Sequence, residues 1–137
     1  MCYTKTMPYK DPQKRREASA KSALKYYRKN RDKCIEKQRK YLKRVKEEVL
    51  GHYSGGTFVC ACCGEHRRPF LTIDHVNGGG TKDRRSNYGR NEGGHHFYRK
   101  IRREGFPVGF QVLCFNCNSG RHINKGVCPH EEERKKH

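Results

Sequence analysis

Between Asp11 and Leu50, apolar and aromatic residues recur every three or four positions, at Ala20, Leu24, Tyr27, Cys34, Tyr41 and Val45. Arg31, Gln38 and Glu48 interrupt this stripe, leaving it too broken for a coiled coil but adequate for a helix. Asp11 followed by Pro12 reads as a helix start, with Asp as the N-cap and Pro at the first helical position. Nothing from there to Leu50 breaks a helix, and Gly51 is placed to stop it. At ~1.5 Å per residue the segment predicts a rod of roughly 58 Å. A loose echo runs along it, Tyr26–Asp32 returning as Tyr41–Glu47.

After Gly51 the pattern changes. All 14 glycines fall from Gly51 onward. Phe70–Val76 alternates like a strand, and Phe110–Asn118 is a short apolar strand running into a second C-x2-C. Between them lie a Gly-rich polar loop from Asn77 to Gly94 and a short basic helix from His95 to Glu104, closed by Gly105 and Pro107. A last short helix begins over Asn118–His122, and the charged tail from Glu131 is expected to fray.

Charge decides what the first region is for. Residues 1–50 carry 17 Lys and Arg against 6 Asp and Glu, and the whole chain has a formal net charge of +18. Such an excess calls for an anionic partner, and no lipid-facing apolar stripe accompanies it, so nucleic acid is expected rather than a membrane. Lys14, Arg15, Arg16, Lys21, Arg28, Lys29, Arg31, Arg39, Lys40, Lys43 and Arg44 are the expected phosphate contacts, scattered around the helix rather than on one reading face. The competing description is a merely solvated charged helix. No stretch reaches the ~20 apolar residues of a membrane span. Met1–Lys10 has no apolar signal core, which predicts an intracellular protein.

The eight cysteines, in that setting, point to metal rather than disulfides. Cys60-x2-Cys63 is followed by Gly64, and Cys114-x2-Cys117 follows the second strand. Two such turns supply the four soft ligands of a tetrahedral zinc ion, with Cys62 as the alternative to Cys60 or Cys63. A region this poor in apolar residues needs such a staple, and structural zinc contributes roughly 10–16 kcal/mol of apparent binding free energy. Cys128-Pro129-His130 resembles part of another site, but no partner pair remains for it; Cys2 and Cys34 are incidental.

Zinc alone would make a binding module. Asp74-His75 at a strand end and Asn118 directly after the last knuckle Cys suggest chemistry as well. Hydrolysing a phosphodiester needs a base for water and a divalent ion to stabilise the developing charge. Histidine suits the first role, and Asp and Asn oxygens suit a hard ion such as Mg²⁺. Neighbours on a strand point to opposite faces, so Asp74 and His75 can share one site only where the chain turns, at Asn77-Gly78-Gly79-Gly80. His122 lies one helical turn beyond Asn118 on the same face.

The set Cys60-x2-Cys63, Ile73-Asp74-His75 and Leu113-Cys114-x2-Cys117-Asn118 resembles the HNH (His-Me finger) endonucleases with a ββα-metal core. Within them it is similar to the zinc-bearing phage type of the recombination endonuclease VII kind, in which Asn also follows the last Cys. The resemblance covers about Thr57 to Lys125. It implies a small ββα-metal core stapled by a four-cysteine zinc site; with the long basic helix that the sequence places before it, the expected fold class is α+β. It also implies a DNA endonuclease in which His75 is the general base, Asp74 and Asn118 hold a catalytic Mg²⁺ or Mn²⁺, and His122 is a further ligand or phosphate contact. A phage origin would place it in the cytoplasm of a bacterial host. Two features depart from the pattern. Gly109 stands where many HNH sequences have an Asn that braces the loop after the catalytic His, leaving Asn77, Asn87 or no residue at all for that task; and the Val76–Val108 insert is long. The expected domains are a basic arm at 1–50, the nuclease domain at 51–128 and a tail at 129–137. The alternative function is a non-catalytic zinc-ribbon nucleic-acid-binding protein.

Overall fold

The computed structural model describes residues 11–79 and 94–136. Cys2, Asn87 and the part of the Gly-rich loop beyond Gly79 lie outside the described residues. The chain divides into two compact units, residues 1–41 and 42–137. Its elements are α1 (Pro12–Lys29), α2 (Arg31–Tyr53), a 3-10 turn at Arg68–Phe70, β1 (Leu71–His75), α3 (Gly94–Arg103), β2 (Phe110–Cys114), α4 (Phe115–Ile123) and α5 (Pro129–Arg134). The fold is α+β and mostly helical.

In the first unit, Asp11 caps α1 as its sequence indicates, its carboxylate accepting from the Gln13 N–H at 2.9 Å. The single rod expected from the sequence is interrupted at Asn30. The Asn30 side-chain amide donates to the Tyr26 carbonyl at 3.0 Å, and its backbone sits at φ −122°, outside the helical region. The Asn30 backbone N–H also donates to the Tyr26 carbonyl at 2.9 Å and the Tyr27 carbonyl at 3.2 Å, so this residue caps α1 with both its backbone and its side chain. The helix restarts when Cys34 N–H donates to the Asn30 carbonyl at 2.9 Å. Ala20, Leu24 and Tyr27 stay exposed, so the apolar stripe buries nothing along α1.

Gly51 does not stop α2, which runs on to Tyr53. A Cβ on Gly51 would lie 3.1 Å from the Phe58 ring, so the residue is small to admit that ring. The chain turns instead at Gly55 and Gly56, both at positive φ, with Gly56 N–H donating to the Gly51 carbonyl at 2.8 Å.

The second unit builds its core from four elements: Val45, Val49 and Leu50 of α2; Leu71 and Ile73 of β1; Tyr98 and Ile101 of α3; and Val112 and Leu113 of β2. The strands pair antiparallel, Leu71 opposite Cys114 and His75 opposite Phe110. Tyr98 is buried with its hydroxyl satisfied, accepting from Ile73 N–H at 3.3 Å and lying 3.4 Å from the Thr72 hydroxyl. Two ion pairs tie the end of α2 to its surroundings, Arg102 to Glu48 at 2.7 Å and Arg68 to Glu47 at 3.7 Å. β2 runs directly into α4, and the expected frayed tail is helical as α5, started by Pro129. No helix among the described residues is long and apolar enough to cross a membrane.

Candidate metal centre and adjoining cleft

The first knuckle is a tight turn. Gly64, at φ 77°, donates its N–H to the Cys60 carbonyl, and Cys60 N–H donates to the Glu65 carbonyl at 2.8 Å. Ala61 N–H reaches the Val112 carbonyl at 2.9 Å, anchoring the turn to β2. The second knuckle is the junction of β2 and α4, where the Cys114 sulfur caps the helix by accepting from Cys117 N–H at 3.4 Å. Cys114 N–H in turn donates to the Cys60 sulfur at 3.2 Å. Such N–H···S bonds orient thiolates and temper their charge.

These turns bring Cys60, Cys63, Cys114 and Cys117 together, with all four sulfurs within 4.8 Å of one another. Cys63 and Cys114 are 3.6 Å apart, close to the roughly 3.8 Å edge of a tetrahedron with Zn–S bonds of ~2.3 Å. The donor set fits a structural zinc ion, as the spacing indicated. Cys62 does not replace either knuckle residue. It faces a second cluster, Cys62, Cys117, Cys128 and His130, whose ligand atoms also lie within 4.8 Å of one another. The expectation that Cys128 and His130 lack partners is therefore corrected: Cys62 and Cys117 are beside them.

The thiols differ in how readily they ionise. Burial opposes ionisation of Cys60, but N–H donors from Cys63, Cys114 and Cys62 outweigh it and bring the thiol down to about 7. Burial pushes up Cys63, Cys62 and, most of all, Cys117, which is further raised by the surrounding sulfurs of Cys114, Cys63, Cys62 and Cys128. So many sulfurs at this spacing cannot all carry charge without a cation among them.

On the other side of Cys117, Asn118 lines an open cleft of about 740 Å³ together with Asp74, His122, Asn77, Arg121 and Lys125. Asp74 comes from the end of β1, and Asn118 and His122 from successive turns of α4. His75 is not among the lining residues. Its ring packs against Phe110 at 4.8 Å and Phe97 at 5.6 Å between centroids, as strand alternation requires of the neighbour of Asp74.

Arg121 is the cleft residue that sequence reasoning missed. It pairs with Asp74 at 2.5 Å and donates to the Val76 carbonyl at 3.0 Å and the Gly126 carbonyl at 3.0 Å. Its only sequence signal is its position one helical turn after Asn118. Gln111, opposite Asp74 in the sheet, lies 3.4 Å from the same carboxylate oxygen.

Gly109 has a role of its own. Its carbonyl accepts from Val76 N–H at 2.9 Å, which ties down the chain immediately after His75. Gly109 sits at φ 103°, a conformation that side chains other than hydrogen rarely adopt.

The proposed phosphate contacts Lys14, Arg15, Arg16, Lys21, Arg28, Lys29, Arg31, Arg39, Lys40, Lys43 and Arg44 are all exposed. Lys40 pairs with Glu36 at 3.4 Å and Arg44 with Glu48 at 3.8 Å, within their own helix. Comparison of the chain with protein-family models, curated proteins and solved structures finds no match.

Proposed function

We propose that this protein is a metal-dependent DNA endonuclease of the HNH type, stapled by structural zinc at Cys60, Cys63, Cys114 and Cys117. The observation that carries the reading is the cleft lined by Asp74, at the end of a hairpin strand, and by Asn118 and His122 on the helix that follows the hairpin. A carboxylate, an amide oxygen and an imidazole form a hard-to-borderline donor set that fits Mg²⁺ or Mn²⁺. When bound, that ion supplies charge stabilisation for the phosphate and the leaving oxygen. His75 accepts the proton of the attacking water. Arg121 positions Asp74, and the exposed Lys and Arg of α1 and α2 neutralise DNA phosphates. These roles require the His75 ring to reach the cleft edge beside Val76 and Arg121 to share Asp74 with the ion.

A second reading has a specific observation behind it. The Asp74–Arg121 pair and the packing of His75 on Phe97 and Phe110 also suit a non-catalytic zinc-bearing nucleic-acid-binding protein. Nicking of supercoiled plasmid in Mg²⁺ or Mn²⁺, with an EDTA control, separates the two. The endonuclease reading expects cleavage that His75→Ala lowers by about 10²–10⁴-fold at unchanged DNA affinity. Asp74→Ala should be as severe but partly restored by higher Mn²⁺, which should not restore His75→Ala. Cleavage by clean His75→Ala at the wild-type rate would return the protein to the binding class.

A further inference from the structure

Two four-ligand clusters that share a residue make a different centre from one zinc knuckle pair. Cys60, Cys63 and Cys114 surround Cys117 on one side, and Cys62, Cys128 and His130 surround it on the other. Cys117 is fully buried between them. We propose that the chain holds two zinc ions bridged by the Cys117 thiolate, with six cysteines and His130 completing both tetrahedra.

The ligand count closes. Two four-coordinate ions sharing one bridging sulfur need about seven protein ligands in all, and the two clusters provide that set. The spacing agrees as well. His130 Nδ1 lies 3.4 Å from the Cys117 sulfur and 3.6 Å from the Cys128 sulfur. A tetrahedron with Zn–N of ~2.05 Å and Zn–S of ~2.3 Å has an N–S edge of roughly 3.6 Å.

Two further features prepare the second site. The Arg134 guanidinium donates to the Cys62 carbonyl and lies 3.7 Å from the Cys62 sulfur. Six thiolates around two dications leave two surplus negative charges, and the Arg134 guanidinium offsets one of them. Gly120 on α4 lets the C-terminal segment approach, since a Cβ there would lie 3.0 Å from Pro129 Cδ and 3.9 Å from the Cys128 sulfur. The second ion would thus fasten α5 to the first knuckle and to the residue before Asn118.

The inference rests on zinc at the first knuckle pair but not on nuclease chemistry. Full-length protein, produced with zinc and purified without chelator, should carry two zinc equivalents per chain by elemental analysis and native mass spectrometry. His130→Ala should drop this to one, whereas His130→Cys, which retains a ligand atom, should hold two. Replacement by ¹¹³Cd should give two resonances split by coupling through the shared sulfur. One equivalent in the wild type, unchanged in His130→Ala, would overturn the second ion alone. Two unsplit resonances would overturn the bridge, and no zinc at all would overturn the structural site in the proposed function too.

Discussion

Gly109→Ala isolates one backbone requirement beside the candidate site. A Cβ at Gly109 meets nothing within 4 Å, so steric contact adds no cost. What remains is the φ of 103°, where an alanine suffers backbone strain of about 1–3 kcal/mol. The chain can escape the strain only by moving the carbonyl that accepts from Val76 N–H, a bond worth about 0.5–1.5 kcal/mol net. The expected loss is therefore about 1–3 kcal/mol, and each kcal/mol lowers the melting temperature of a unit this size by about 4–8 °C.

Gly94→Ala is the matched control, because it also has open space around its Cβ but sits at the start of α3 without positive φ. It should be neutral or stabilising by about 0.4–1 kcal/mol. Gly109→Asn should destabilise as well, since φ 103° lies outside the small left-handed region that Asn tolerates. Thermal unfolding of zinc-loaded protein and hydrogen exchange at the Val76 amide measure the two consequences. Gly109→Ala as stable as Gly94→Ala, with Val76 still protected, would refute the argument.

Arg121→Ala removes the partner of a mostly buried carboxylate and two carbonyl contacts, and should cost about 1–3 kcal/mol in denaturant unfolding. Arg121→Lys should recover little of it, because an ammonium cannot span Asp74, Val76 and Gly126 as the planar guanidinium does; full recovery would show that charge alone matters. Removing residues 1–41 should flatten the salt dependence of DNA binding, whose log–log slope would be about −5 for six engaged phosphates. An unchanged slope would place the phosphate contacts in residues 42–137.

The second unit's strands were legible almost to the residue, since Leu71 and Ile73 alternate with polar neighbours and Val112–Cys114 bury a continuous run. Helix breaks were harder to read. Asn30 is ordinary by propensity yet closes α1 with its backbone N–H and its side-chain amide, while Gly51 has the identity of a stop but stays inside the last turn of α2, against Phe58. Both depend on where a side chain points, which spacing does not encode.

The metal centre shows the same limit in a sharper form. Spacing within a C-x2-C turn is local, so Cys60–Cys63 and Cys114–Cys117 could be paired from the sequence. Cys62 and Cys128 are separated by most of the second unit and meet only because α5 folds back over Gly120. The second set is complete only with Cys117, which the C-x2-C spacing already gives to the first. The structure makes that sharing reasonable: Cys117 is the most enclosed residue of the group and belongs to both ligand sets, each of which also draws on the Cys60–Cys63 turn. A buried sulfur with ligand atoms on both sides is where a bridge neutralises charge that a terminal thiolate would leave uncompensated. Asn118 follows Cys117 directly, so whatever fixes that sulfur also fixes the start of α4, from which the cleft takes Asn118 and His122.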